Sequence, residues 1–173
     1  MSRIIVCPLS QLPLTVAAHA ASPLVTLIKD GTRVERPTSI AAERHLFLTF
    51  DDVTEEMFGM IAPAEEHASA LLSFVDTWDQ KLPIVVHCYA GISRSTAAAF
   101  ITMCALRPKR SEAEIARSIR TASPSATPNI RLVGFADRLL GREGRMVAAI
   151  ESIGRGENAY EGVPFVLPLE DGA

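Results

Sequence analysis

The chain has 173 residues, 48% of them hydrophobic and 21% charged, and its 17 Lys and Arg against 20 Asp and Glu leave a net charge of −3. That length suits one domain with a sizeable core, and the balance is globular rather than disordered. No basic excess points to nucleic acid, and no run reaches the ~18 apolar residues that span a bilayer, so neither nucleic acid nor membrane is an expected partner.

Arg3–Cys7 (RIIVC) reads as a strand closed by Pro8, and Ser10–Ala21 as a short helix after Pro13. Leu24–Ile28 is a second strand. Lys29–Glu43, with Asp30-Gly31 and Pro37, is a surface loop. His45–Phe50 is a third strand. Within Ala64–Lys81, Ala68, Leu71, Leu72, Val75 and Trp78 recur at helical steps, which places Trp78 in the core rather than on a stacking platform. Ile84–Val86 does not alternate, as in a fourth strand buried on both faces. Ser111–Glu114 spells a capping box for a helix that turns Ile115 and Ile119 inward and ends at Ser123–Pro128. Asn129 is the N-cap of a last helical region carrying Leu132, Phe135, Ala136, Leu139 and Leu140. Gly141 and Gly144 leave open whether Met146, Val147, Ile150 and Ile153 continue that helix or begin another.

This alternation predicts a single α/β domain, a small, mostly parallel sheet flanked by helices on both faces. The expected body is residues 1–153. Residues 154–173 form a turn-rich tail with one apolar patch, Phe165–Leu169, that either packs back on the body or stays mobile. Cys7, Cys88 and Cys104 cannot close a disulfide framework, which favours a reducing compartment. Pro8, Ser10, Gln11 and Pro13 interrupt what would otherwise imitate a signal peptide, so a cytoplasmic location is expected.

The chemistry concentrates in Pro83–Ala98, PIVVHCYAGISRSTAA. An apolar strand runs into His87-Cys88, Gly91 permits a sharp turn, and an alanine-rich helix begins near Ser93–Ser95. The free N–H groups and positive dipole end of that helix point into the loop, a ready site for a phosphate. A cysteine at its base is expected to be a thiolate at neutral pH. Arg94 adds a planar fork for two phosphate oxygens. Asp51 and Asp52 follow the third strand, and Asp52 lies 36 residues before Cys88, room for a right-handed crossover to a parallel neighbour. Either aspartate is a candidate general acid or a cap for Thr54–Phe58.

HCYAGISRS closely resembles the signature loop of the cysteine-dependent protein tyrosine phosphatases, most of all the dual-specificity branch and its bacterial relatives. The resemblance covers roughly Leu24 to Leu140. It implies the same fold, with the loop at the carboxyl end of a central strand, and a two-step phosphomonoester hydrolysis through a phosphocysteine. In that reading Cys88 is the nucleophile, and Arg94 with the amides of Tyr89, Ala90, Gly91, Ile92 and Ser93 binds the phosphate. Asp52, favoured over Asp51 by position, is the general acid and then the base. Ser95 hydrogen-bonds the sulfur, while His87 and Asn129 are supporting residues. No metal and no cofactor is required.

The expected substrate is a phosphorylated protein, chiefly at tyrosine, or a small soluble phosphate ester. The lack of lysine between Tyr89 and Ser93 weakens the inositide case. A phosphate-binding module without turnover and a rhodanese-like sulfur transferase are the readings to separate from it; the oligomeric state stays open. His19, His45 and His67 lack metal-ligand spacing. Cys7 and Cys104 read as packing residues, with a reversible disulfide to Cys88 as the alternative. Arg117, Arg120, Arg131 and Arg138 read mostly as a solvated helical face.

Overall fold

The computed structural model describes residues 2–169. Five strands, β1 (Arg3–Pro8), β2 (Leu24–Ile28), β3 (His45–Thr49), β4 (Ile84–Cys88) and β5 (Phe165–Pro168), make one sheet in the order β3-β2-β4-β1-β5. β1 to β4 pair in parallel, and β5 runs antiparallel to β1. This is the α/β arrangement the alternation predicts. All five residues of the central β4 are buried. The crossover expectation needs correction, because β2 lies between β3 and β4 and pairs with both. The reason is burial: β2 is buried throughout and fits an interior position, whereas β3 keeps His45 and Phe47 partly exposed and takes the edge.

Alternation along the strands divides the core in two. Ile5, Cys7, Leu24 and Val85 face Leu12 and Val16 of α1 (Leu12–His19). Ile4, Val6, Val25, Leu27, Ile84 and Val86 face the larger core. There lie α2 (Glu65–Asp76), α3 (Arg94–Leu106), α4 (Glu112–Ala122), α5 (Ile130–Leu139) and α6 (Arg145–Ile153). Arg94 through Cys104 are all buried, so α3 is the helix around which the others pack.

Several local expectations change. Trp78 is in the core but lies past the end of α2, where its indole N–H donates to Leu82 O at 3.0 Å. Ser111 is the N-cap of α4 without a side-chain bond, so the capping box does not form; Glu112 instead anchors that turn to Arg142 and Arg145. In α5 the buried face is Leu132, Val133 and Ala136, and Leu139 is exposed. α6 is a separate helix: the buried Asp137 carboxylate accepts from the N–H groups of Gly144, Met146 and Val147, which starts a new N-terminus there. Residues Phe165–Pro168 form an edge strand with Phe165 and Leu167 buried; the last residues of the expected tail, 170–173, lie outside the described ones.

Candidate active site

β4 ends at Cys88 and α3 begins at Arg94, so the loop between them turns at the carboxyl end of the central strand. Gly91 makes the turn at φ +70°, and a Cβ there would lie 2.8 Å from Pro8 N and 3.0 Å from Cys7 C. Only glycine lets the loop cross the end of β1 this closely. Outward bonds occupy four loop carbonyls: Tyr89 O accepts from Leu9 N–H at 3.1 Å, and Ala90 O from Gly162 N–H at 2.8 Å. Ile92 O accepts from Thr127 N–H at 2.9 Å, and Ser93 O from Asn129 N–H at 3.2 Å. In a planar trans peptide the N–H of the next residue points the opposite way. The amides of Ala90, Gly91, Ser93 and Arg94 therefore turn to the concave side, where Gly91 N–H meets Cys88 Sγ at 3.2 Å.

Ser95 Oγ stands 3.1 Å from the same sulfur. Arg94 is buried and one terminal nitrogen donates to Phe50 O at 2.9 Å. Its Nε is buried with no hydrogen-bond partner among the described residues. His87 Nε2 shares a hydrogen bond with Thr26 Oγ1 at 2.7 Å, and Thr26 Oγ1 also meets His45 Nε2 at 2.8 Å. Burial pulls the His87 pKa down to about 4, so the ring is neutral at pH 7 and organises the loop by hydrogen bonding.

The two aspartates separate. Asp51 is buried and clasps the base of the 52–60 loop: its N–H donates to Ile61 O at 2.7 Å and its carboxylate accepts from Ile61 N–H at 2.8 Å, with Lys29 Nζ at 3.7 Å. Neither aspartate caps a helix at Thr54–Phe58, because that segment is irregular and holds no helix. Asp52 Oδ1 accepts from Ser93 Oγ at 2.7 Å and from Asn129 Nδ2 at 2.9 Å. Asn129 also donates to Val53 O at 3.2 Å, while its own oxygen caps α5 by accepting from the amides of Arg131 and Leu132 at 3.1 Å each. Asp52, Ser93 and Asn129 thus form one cluster beside the loop.

Thr26, the Phe50 carbonyl, Pro8 and Gly162 also act on the loop, from positions distant in sequence that carry no motif of their own. The expected solvated arginine face holds for Arg117 and Arg138, which are exposed, and needs correction for the other two. Arg120 donates to the carbonyls of Ala126, Ile153 and Gly154, and Arg131 to Pro63 O. Burial pushes the Cys7 and Cys104 thiols up to about 12, which keeps both protonated as packing residues. Among the described residues no helix is long and apolar enough to cross a membrane.

The family model for protein-tyrosine phosphatase matches residues 59–127, which include the whole loop. No curated protein sequence matches the chain. Among solved structures, Cydia pomonella PTP-2 phosphatase is 16% identical, with a TM-score of 0.60 over 78% of this chain and 84% of that one. The human tyrosine phosphatase-like serine/threonine/tyrosine-interacting protein is 15% identical, with a TM-score of 0.61 over 81% and 92%. PTPMT1 in complex with PI(5)P is also 15% identical, with a TM-score of 0.58 over 81% and 94%. The matched segment is similar to the protein-tyrosine phosphatase model, and the fold is the one these phosphatase structures share. Fold likeness at this identity does not identify the substrate.

Proposed function

We propose that the chain is a dual-specificity-like protein phosphatase, acting on phosphorylated protein and on phosphotyrosine foremost, through a phosphocysteine on Cys88. One observation carries the reading: Cys88 Sγ lies at the base of an inward-facing amide loop beside a buried guanidinium with an unmatched N–H. A phosphate oxygen is the partner that such a donor needs.

In the first step Cys88 Sγ attacks phosphorus in line, the S–P bond forms and the P–O bond to the leaving group breaks. Arg94 and the amides of Ala90, Ser93 and Arg94 take up the equatorial charge, with Tyr89 and Ile92 framing the loop. Asp52 gives its proton to the departing oxygen. In the second step water attacks phosphorus, Asp52 accepts its proton and the S–P bond breaks. Ser95 Oγ–H donates to the sulfur and makes it a better leaving group. His87 and Asn129 position the loop and the acid. No step requires a metal, because Arg94 and the amides supply the compensating charge.

Cys88 and Arg94 bound the loop and Asp52 accepts from its Ser93 hydroxyl at 2.7 Å, which favours turnover over a module that only binds phosphate. The three cysteines are free thiols, which supports a reducing, cytoplasmic setting in which Cys88 stays active. The test is hydrolysis of para-nitrophenyl phosphate in chelator and reductant, with competitive inhibition by vanadate, a mimic of the five-coordinate transition state. Metal-independent, vanadate-sensitive turnover is expected. Turnover that chelator abolishes, or indifference to vanadate, contradicts the reading.

A further inference from the structure

In-line displacement fixes where the esterified group lies. The leaving oxygen stands opposite Cys88 Sγ and within reach of Asp52, so whatever carries the phosphate passes Asp52. Asp52 forms one wall of a groove of about 740 Å³ that continues past Ile92 and Ser93, along Pro128–Ile130, to the end of α6 and the 154–159 segment. That volume matches sites that hold a whole drug-sized ligand and exceeds the need of one phosphorylated side chain. Ile92, Pro128, Ile130 and Ile150 contribute apolar surface.

The charge of the lining is one-sided. Three carboxylates, of Asp52, Glu151 and Glu157, meet one guanidinium, of Arg155. Among the described residues Glu151 and Glu157 make no ion pair. The far wall is also fixed in place. Gly156 N–H donates to Thr127 Oγ1 at 3.0 Å, and Glu157 N–H to Pro124 O at 2.9 Å. Arg120 holds Ile153 O at 2.7 Å and Gly154 O at 2.8 Å. A Cβ at Gly156 would come 2.6 Å from Ser125 C, so the chain is pressed directly onto that turn. A wall held this way does not have to be ordered when a ligand arrives.

We propose that this groove binds the polypeptide next to the phosphorylated residue and selects a basic side chain there, an arginine or lysine facing Glu151 and Glu157. The proposal rests on the phosphatase reading and names the substrate class within it. An apolar floor under an acidic wall suits the stem and head of such a side chain. The same wall repels a polyanionic head group such as an inositol polyphosphate.

The experiment compares kcat/KM for a phosphotyrosine peptide flanked by arginines, the same peptide flanked by glutamates, and an inositol polyphosphate, each relative to para-nitrophenyl phosphate. At low ionic strength the native protein is expected to favour the arginine peptide by about fivefold or more, as exposed charge pairs do. The Glu151→Lys/Glu157→Lys variant is expected to reverse that preference, and about 0.5 M salt to erase it. Binding of the two peptides to Cys88→Ser, followed by fluorescence anisotropy, reads the same preference without turnover. Equal use and equal binding of the two peptides, a ratio that charge reversal does not move, or faster use of the inositol polyphosphate overturns the proposal. Loss of para-nitrophenyl phosphate hydrolysis in the native protein overturns the phosphatase reading instead, and the binding arm still decides the groove.

Discussion

Asn129→Ser separates a structural from a positioning role at Asp52, the proposed acid. The native side chain does two jobs: its oxygen caps α5 through the Arg131 and Leu132 amides, and its Nδ2 holds Asp52 Oδ1 at 2.9 Å. Serine caps a helix about as well as asparagine, so the cap is retained, and its hydroxyl is too short to reach Asp52 as well. The stability cost is therefore two hydrogen bonds from Nδ2, to the exposed Asp52 carboxylate and to Val53 O at 3.2 Å, about 0.5–1.5 kcal/mol each. Ser93 Oγ still holds Asp52 at 2.7 Å, so the acid is loosened rather than released. General acid catalysis is worth about 10²–10⁴-fold, and a partial loss gives about a tenfold fall in kcat for phenolates of poor leaving ability. For para-nitrophenolate, which leaves with little help, the fall is about threefold or less. The assay is kcat across aryl phosphates graded by the acidity of the phenol, with denaturant unfolding alongside. The slope against leaving-group acidity steepens in Asn129→Ser and more so in Asp52→Asn. A uniform fall across the series, or a steeper slope in Asp51→Asn than in Asp52→Asn, refutes the assignment.

Gly91→Ala costs at least about 2 kcal/mol, from a left-handed backbone and a contact with the Pro8 backbone, which cannot step aside; thermal unfolding reads it. His87 titrates at about 4 in the folded chain and near 6.5 when unfolded, so the unfolded state binds more protons between those values. The neutral ring therefore contributes stability that is fully present above pH 6.5 and is lost as pH falls toward 4. Between pH 7 and pH 4.5 the loss is about 2–3 kcal/mol, and urea midpoints of His87→Asn should lack that component of the slope. Ser95→Ala removes the hydroxyl at 3.1 Å from the sulfur and slows the second step more than the first, which appears as a burst of para-nitrophenolate followed by a slower steady state.

The signature loop was legible because its parts are contiguous. An apolar run, a glycine three residues after Cys88 and an alanine-rich start to α3 encode strand, turn and helix without reference to anything distant. Asp52 is favoured over Asp51 by its place after a strand and by the resemblance, and the structure adds that the Asp51 carboxylate is buried and engaged by the Ile61 amide. The groups that position the loop were not legible. Phe50 acts through a backbone carbonyl, which leaves no mark on residue type, and Thr26 meets His87 only because β2 pairs with β4. The strand order itself depends on which strands are buried on both faces, a global property. Gly162 reads as a turn residue among others; its amide bonds Ala90 O only because β5 returns along β1 and brings the preceding segment over the loop.

Whether Cys88 carries the phosphoryl group is decided by acid quenching during turnover. The protein is mixed with para-nitrophenyl phosphate, stopped in acid within the first turnovers, digested and measured by mass spectrometry. One added phosphoryl group is expected on the peptide containing Cys88, more of it in Ser95→Ala and none in Cys88→Ser. Turnover that continues in Cys88→Ser, or a phosphoryl group found on another residue, would contradict it.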